Sequence, residues 1–565
     1  MSHTPATPSR ACVFDSLLAD STNRRSLRAD KYVMGTTPQG STVRAMPHTE
    51  LSPELLDHMQ RIKAKAIEYG LDFFEVVFEV LPFEVMNQIA SYGGFPTRYP
   101  HWRWGMEYDK LSKRDAYGLG RIYEMVINND PCYAYLQESN NVTDQKLVMA
   151  HVYGHADFFK NNYWFSKTNR KMMDEMANHA TRVRRHIERH GQDEVERFID
   201  AALMIENLID PHSVYKAQAR RHKASDRRGL READDERDGA ASPGNQDKFV
   251  AKDYMDPFIN PREVLERQRK VDAAKIKADK DRFPLEPARD VLLFLLSNAP
   301  LTEWQQDILA IVRDEAYYYA PQAMTKVMNE GWATYWHSKL MTRHFLEAKE
   351  IIHYADQHSG VVYMAPGGFN PYKIGIELFK DIERRWDMGQ HGPRWEDIGD
   401  LGVKESFDDK SMKGREKIFE VRKIYNDVSF IDEFLTEEFV ERHKMYQHKR
   451  DPQTGEIKIA SRDYNRVKQT LLHFLTNAGQ PFIYVVDANY MNRGELVLAH
   501  KFTGVEVEIA RVNEVMQSLR MMWGRPVHLM MHLSEDNCML SLETIGGKLK
   551  KERISQETPS PAHLL

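Results

Sequence analysis

A chain of 565 residues is too long for one ordinary core and implies roughly two to four domains. Apolar residues make up 42% of it, enough for a substantial interior, while plentiful charge brings the mean hydropathy to -0.60. The net charge of -5 excludes a global field that would recruit nucleic acid or anionic lipid, and no nucleic-acid-binding motif is present.

The first 50 residues are rich in Ser, Thr, Pro and Arg with little periodicity, and are expected to be disordered. They contain no basic segment followed by a long apolar run, so no secretory signal is expected. The three cysteines, Cys12, Cys132 and Cys538, are far apart and form no CxxC pair. That excludes a zinc ribbon, argues against a disulfide framework and fits a reducing compartment. No apolar run approaches the roughly 20 residues that span a bilayer. A cytoplasmic protein without a transmembrane segment is expected.

Helical patterning begins at Ser52-Pro53-Glu54, which reads as an N-cap, a first-turn proline and a first-turn acid. Residues 84–135 are aromatic and loop-rich. They read first as core, although His101, Arg103 and Glu124 among them could line a site. Residues 143–165 read as one helix capped by Thr143 or Asn141, with Leu147, Val148, His151, His155 and Phe158 on one face. Residues 170–210 continue as amphipathic helix. The charged stretch 223–247, ending in Ser, Pro and Gly, reads as a mobile insertion, and 261–282 as a surface helix. Buried helix returns over 287–350, and a further helix follows the loop 361–375. From Ile457 to Ile545 short β-branched runs (PFIYVVDA, LVLAHKF, VEVEIA, VHLMMHL) alternate with a helical stretch, Arg511 to Trp523.

The expected class is therefore α+β. A large, mainly helical, metallopeptidase-like domain covers 51–450, a small α/β domain with a short sheet covers 451–548, and 549–565 is a tail.

Two patterns carry chemistry. His151 and His155 lie four apart, on one helix face, where two imidazoles can hold one metal ion. Each alone also reads as a satisfied core or surface histidine. The second pattern is Met328-Asn329-Glu330-Gly331-Trp332-Ala333, continuing to His337, with Pro321 in the first turn of its helix. Glu330 and His337, seven apart, share a largely apolar stripe, and a buried carboxylate needs a partner or a metal. Gly331 costs its helix about 1 kcal/mol relative to Ala, which implies close approach of another backbone or a ligand. His151, His155 and Glu330, with His337 as a possible further ligand, make a candidate zinc site, iron being the alternative. The competing reading is a buried Glu–His hydrogen-bond network without metal.

In HExxH zinc enzymes a Glu follows the first His and acts as general base. Here that residue is Val152, which moves no proton. Glu124, Asp157 and Glu315 are the candidate replacements, and Asp157 reads equally as a supporting or surface charge. His353 and His358 read as exposed. Lys160 and Asn161 read either as neighbours of the metal helix or as its C-terminal cap.

PTRYPHWRWGMEYD, IYEMVINNDPCYAYLQESN, QKLVMAHVYGHADFFKNN, RDEAYYYAPQAMTKVMNEGWATYWHS and FNPYKIGIELFKDIERRW together resemble the SpoVR family (stage V sporulation protein R-like). The likeness spans residues 50 to 545 except the 223–247 insertion. It implies a bacterial protein with a role in forming the spore cortex, a peptidoglycan layer, or in stress responses beside a serine kinase and a companion protein. It implies no reaction. Three functions follow as expectations: a metal-dependent hydrolase of an amide bond, a non-catalytic regulator or scaffold, and a carboxylate–histidine iron protein.

Overall fold

The computed structural model describes residues 51–116, 124–216, 283–451, 455–503, 507–533 and 536–553. The stretches 1–50, 223–247 and 261–282 lie outside the described residues. Two compact units divide the chain: Met1–Thr181 with Pro321–Gly479, and Arg182–Ala320 with Gln480–Leu565. The expected boundary at 450/451 falls inside the first of them. Helices and small sheets together make the architecture α+β.

In the first unit the opening signal is used as read. The Ser52 hydroxyl accepts from Leu55 N at 3.3 Å, and Pro53 starts helix α1 (Pro53–Glu68). Then come β1 (Val76–Leu81), α2 (Phe83–Ser91), α3 (Trp102–Ala116), β2 (Glu124–Ile127) and β3 (Cys132–Gln137). β1 pairs parallel with β3, and β2 antiparallel with it, giving the order β1-β3-β2. Strands β2 and most of β3 lie in the stretch 84–135, which the sequence reads as aromatic loop and core. β3 is buried at five of its six positions, so it lacks the alternation that marks a half-buried strand.

Helix α4 (Val142–Asn161) starts at Asn141, whose side chain accepts from Asp144 N at 2.9 Å. Every residue from Val148 to Phe159 is buried, so α4 is a central helix rather than an amphipathic one. Helix α5 (Met172–His190) follows. α6 (Gln192–Met204), α7 (Val291–Asn298) and α8 (Glu303–Met324) come next in the chain. Pro321 sits inside α8, not in the first turn of the next helix. The break comes at Thr325, whose hydroxyl donates to Pro321 O at 2.7 Å.

Helix α9 (Lys326–Leu340) is buried without interruption from Val327 to His337. Its N-terminus is satisfied from far away in sequence: Asp427 accepts from Val327 N at 2.8 Å and Met328 N at 2.9 Å. Helices α10 (Ile351–Val361), α11 (Pro371–Asp387), α12 (Gly414–Ile424), α13 (Asp427–Phe434) and α14 (Glu437–Arg442) pack in the same unit. The hairpin β4 (Gln447–Arg450) and β5 (Ile457–Ser461) and helix α15 (Tyr464–Leu475) complete it.

Glycines set the spacing of the three central helices. A Cβ on Gly154 of α4 would lie 2.7 Å from Ala333 Cα of α9. One on Gly331 would lie 2.4 Å from Gly375 Cα of α11. Main chain thus meets main chain on both sides of α9, which is the close approach Gly331 implies. A buried ion pair ties the start of α4 to the turn after α9: Lys146 Nζ reaches Glu350 Oε2 at 2.6 Å and Phe345 O at 2.9 Å.

Burial raises the Asp427 carboxyl to about 7, against the pull of the Val327 and Met328 amides and Lys326. The folded state therefore holds this proton up to about pH 7, while the unfolded chain releases it near the ordinary value of 3.8. More protons bound in the fold means stability falls as pH rises across that window. Relative to Asp427→Asn, the wild type should lose stability between about pH 4 and pH 7 and change little above. Urea midpoints of both proteins at several pH values check this; a flat difference refutes it.

The second unit carries a five-stranded sheet, order β10-β9-β8-β7-β6. Its strands are β6 (Phe482–Tyr490), β7 (Glu495–Lys501), β8 (Val527–Leu533), β9 (Asp536–Leu542) and β10 (Lys550–Arg553). β7 and β8 pair parallel, joined through helix α16 (Ile509–Trp523), and the other pairs are antiparallel. Two expectations change. In VEVEIA, residues 505 and 506 lie outside the described residues and α16 already begins at Ile509, so the described part is no strand. Residues 550–553, expected in a tail, form the exposed, charged edge strand β10. A polar row crosses the sheet interior: His528 meets Ser541 Oγ at 2.8 Å and Glu495 Oε2 at 2.9 Å.

Candidate metal centre

α4 and α9 bring His151, His155 and Glu330 to one point. One ligand atom from each of the three lies within 4.8 Å of the others, and all three residues are buried. Glu330 Oε2 stands 3.6 Å from His151 Nε2 and 3.4 Å from His155 Nε2. The imidazole centroids are 4.5 Å apart and nearly perpendicular. This follows from the local structure: a four-residue step keeps both rings on one side of α4, and the Gly154–Ala333 contact lets α9 deliver Glu330 beside them.

The opposite ring nitrogens and the second carboxylate oxygen are also engaged. His155 Nδ1 donates to Asn329 Oδ1 at 2.9 Å. His151 Nδ1 meets His337 Nδ1 at 2.8 Å, and His337 Nε2 lies 3.3 Å from His358 Nδ1. Lys326 Nζ holds Glu330 Oε1 at 2.6 Å, and the Lys326 side chain is 55% exposed. Burial alone would raise the Glu330 carboxyl. Lys326 leads the groups that offset it and hold the carboxyl well below the usual carboxylate range. Burial, with His151 and His358 beside it, holds His337 well below the ordinary histidine value, so it is neutral.

The other expected residues take different places. His337 does not join the group of three; it stands behind His151 on the far nitrogen. Asp157 accepts from Trp332 Nε1 and Asp72 N, each at 2.8 Å, with Arg422 at 3.4 Å. Burial raises its carboxyl to about 6, Arg422 pulling the other way. It knits α4 to α9 and α12. Glu315 is buried on α8 within the second unit. The Glu124 side chain lies outside the described residues. Lys160 and Asn161 bind Asp72 at the end of α4. The ring of His101 accepts from Arg103 N at the start of α3, at 3.2 Å. His353, part-exposed, meets Asp144 at 2.9 Å, and His358 is half-buried rather than exposed.

Sequence reasoning passed over Asn329 and Lys326. The i,i+4 relation of Lys326 to Glu330 was a readable signal. Nothing local marked Asn329. Val152 is fully buried in the core, so the position that holds the base in HExxH enzymes faces packing, not the cluster.

An α+β protein with a His–His–Glu cluster on two central helices is the class that fold and site define. The family described as SpoVR like protein matches residues 50–480, and the chain belongs to that family. It is 35% identical over 353 residues to the uncharacterized protein YcgB of Escherichia coli (strain K12). That match covers 59% of this chain and 64% of YcgB, less than two thirds of the relative. No solved structure matches the chain. Among the described residues no helix is long and apolar enough to cross a membrane.

Proposed function

We propose that His151, His155 and Glu330 hold one divalent metal ion, zinc before iron, and that the chain is a bacterial, cytoplasmic, metal-dependent hydrolase of an amide bond. A cell-wall precursor or a peptide is the substrate class that fits the family's implied link to the spore cortex and to stress.

Donor spacing carries the reading. Bonds of roughly 2.0–2.2 Å in a tetrahedron put neighbouring donors about 3.3–3.6 Å apart. The two nitrogen–oxygen separations are 3.6 and 3.4 Å. A charge-assisted hydrogen bond would close to about 2.7–2.9 Å. Because His155 donates from Nδ1, its Nε2 turns a lone pair towards the carboxylate, an arrangement that a cation between them stabilises.

Zinc bound there would polarise a carbonyl and activate water. The chain's own part is to orient. Asn329 fixes the His155 ring, and Lys326 holds one oxygen of Glu330 so that the other faces the imidazoles. Two His and one carboxylate with an open position is the donor set of helical metallopeptidases, and also of non-haem iron sites. Metal analysis of purified wild type and His155→Ala tests the proposal. About one zinc per chain is expected in the wild type and almost none in the variant; iron in its place selects the alternative. Equal and negligible metal in both removes the proposal.

Val152 favours a second reading, a regulator or scaffold acting with a serine kinase and a companion protein. Co-purification with such partners, unchanged by substitution of His151 and Glu330, supports it.

A further inference from the structure

We infer that Thr334 touches the substrate: its hydroxyl, unspent in the fold, donates to the carbonyl oxygen of an amide bound beside His151, His155 and Glu330. The choice of ligand rests on the hydrolase proposal above; that the hydroxyl is unspent does not.

Thr334 is fully buried, at 0% exposure, and its Oγ1 has no hydrogen-bond partner among the described residues. A helical threonine has an acceptor within reach, the carbonyl four residues back. Other threonines of this chain use it. Thr325, equally buried, donates to Pro321 O at 2.7 Å, Thr342 to Ser338 O at 2.7 Å and Thr470 to Arg466 O at 2.8 Å. Thr334 leaves Glu330 O unused. A hydroxyl taken out of water and left unpaired costs stability that valine, of the same shape, would not.

The place of that hydroxyl follows from two contacts of α9. Gly154 of α4 meets Ala333, and Gly375 of α11 meets Gly331. At about 100° per residue, Glu330, Thr334 and His337 then share the sector between those two directions. The His151 ring spans the same stretch: it stands beside Glu330, one turn before Thr334, and beside His337, one turn after. Thr334 therefore belongs to the wall of the cluster. It lies on the α11 flank, where the Tyr372 ring stands 6.3 Å from that of His151.

A threonine hydroxyl is no general base, so it does not take over the role that Val152 leaves open. It is a donor held in a buried site. A fixed donor beside the point where an amide carbonyl gathers negative charge stabilises that charge as it forms. Retaining an unpaired hydroxyl at a cost to the fold is what such a contact requires.

Two comparisons on full-length protein test the inference. In urea, metal-free Thr334→Val should unfold at a higher concentration than metal-free wild type. A lower midpoint, or a variant that does not fold, gives the hydroxyl a structural partner and overturns the inference. Both proteins are then loaded with cobalt(II), whose visible spectrum follows its ligands, and titrated with acetohydroxamate, a small molecule with an amide-like carbonyl. Thr334→Val should take up the metal as wild type does and bind acetohydroxamate about 10-fold more weakly, the loss of one hydrogen bond. Thr334→Ser, which keeps the hydroxyl, should recover most of that binding. Equal acetohydroxamate affinity in wild type and the Val variant overturns the inference, as does a Ser variant no better than Val. A wild type that takes up neither cobalt nor zinc sinks the metal proposal and the carbonyl contact with it, while the urea comparison still decides whether the hydroxyl is unspent.

Discussion

Glu330→Gln is expected to cost metal affinity heavily while leaving the metal-free protein folded and about as stable. The carboxylate is the one anionic donor of the three, and burial has already removed the water that would otherwise stabilise it. A neutral amide of the same shape is a far poorer ligand. The loss should exceed the 10- to 100-fold typical of removing a supporting partner. Stability should respond differently. The Glu330 carboxylate is desolvated and depends on Lys326 at 2.6 Å. Removing a buried charge whose partner can turn to solvent is often neutral or stabilising, and the Lys326 side chain is 55% exposed. Zinc affinity and urea midpoint, measured on the same preparations, separate the two effects. Unchanged affinity would mean that Glu330 is no ligand; collapse of the metal-free fold would mean that it is chiefly structural.

Gly331→Ala should produce a large loss of stability for a single added methyl group. In an open helix such a change gains about 0.5–1 kcal/mol. Here the new Cβ would lie 2.4 Å from Gly375 Cα and 2.5 Å from its carbonyl carbon, both backbone atoms that no rotamer change can move. Overpacking of this kind costs about 3 kcal/mol or more once α9 and α11 must separate. Gly105, on α3 with nothing within 4 Å of its added Cβ, is the control, and Gly105→Ala should be neutral or stabilising. Thermal midpoints of both variants test the pair. A Gly331→Ala protein that melts with the wild type would refute the crossing.

The same crossing shows where a sequence stops informing. The step from His151 to His155 and the cost of a glycine beside Glu330 are local facts; the first pointed to a shared site for α4 and α9, and the second to a close approach without saying by which backbone. Gly375, which receives Gly331, is 44 residues along the chain in a segment with no sign of its own. His337 has the spacing of a ligand to Glu330, but helical periodicity gives only a face, and the side chain lies behind His151. Asp157 carries the right chemistry for a base, yet Trp332 and Asp72 occupy it from outside its helix. Strand β3, at the centre of the sheet β1-β3-β2, was hidden because a strand buried on both faces loses the alternating pattern that identifies it. Of the C-terminal strands, β6, β7 and β8 were legible from β-branched runs between turns, β9 and β10 were not read, and at VEVEIA helix α16 takes over a strand-like sequence.

Because α9 touches both neighbours through main chain at Gly331 and near Gly154, the gap into which its acid projects is gauged by polypeptide thickness rather than by side-chain bulk. Exchanging the donors themselves, a histidine for cysteine or the glutamate for aspartate, should therefore retune the chemistry of the pocket while its architecture stays put. That makes this three-helix frame a natural chassis for redesign.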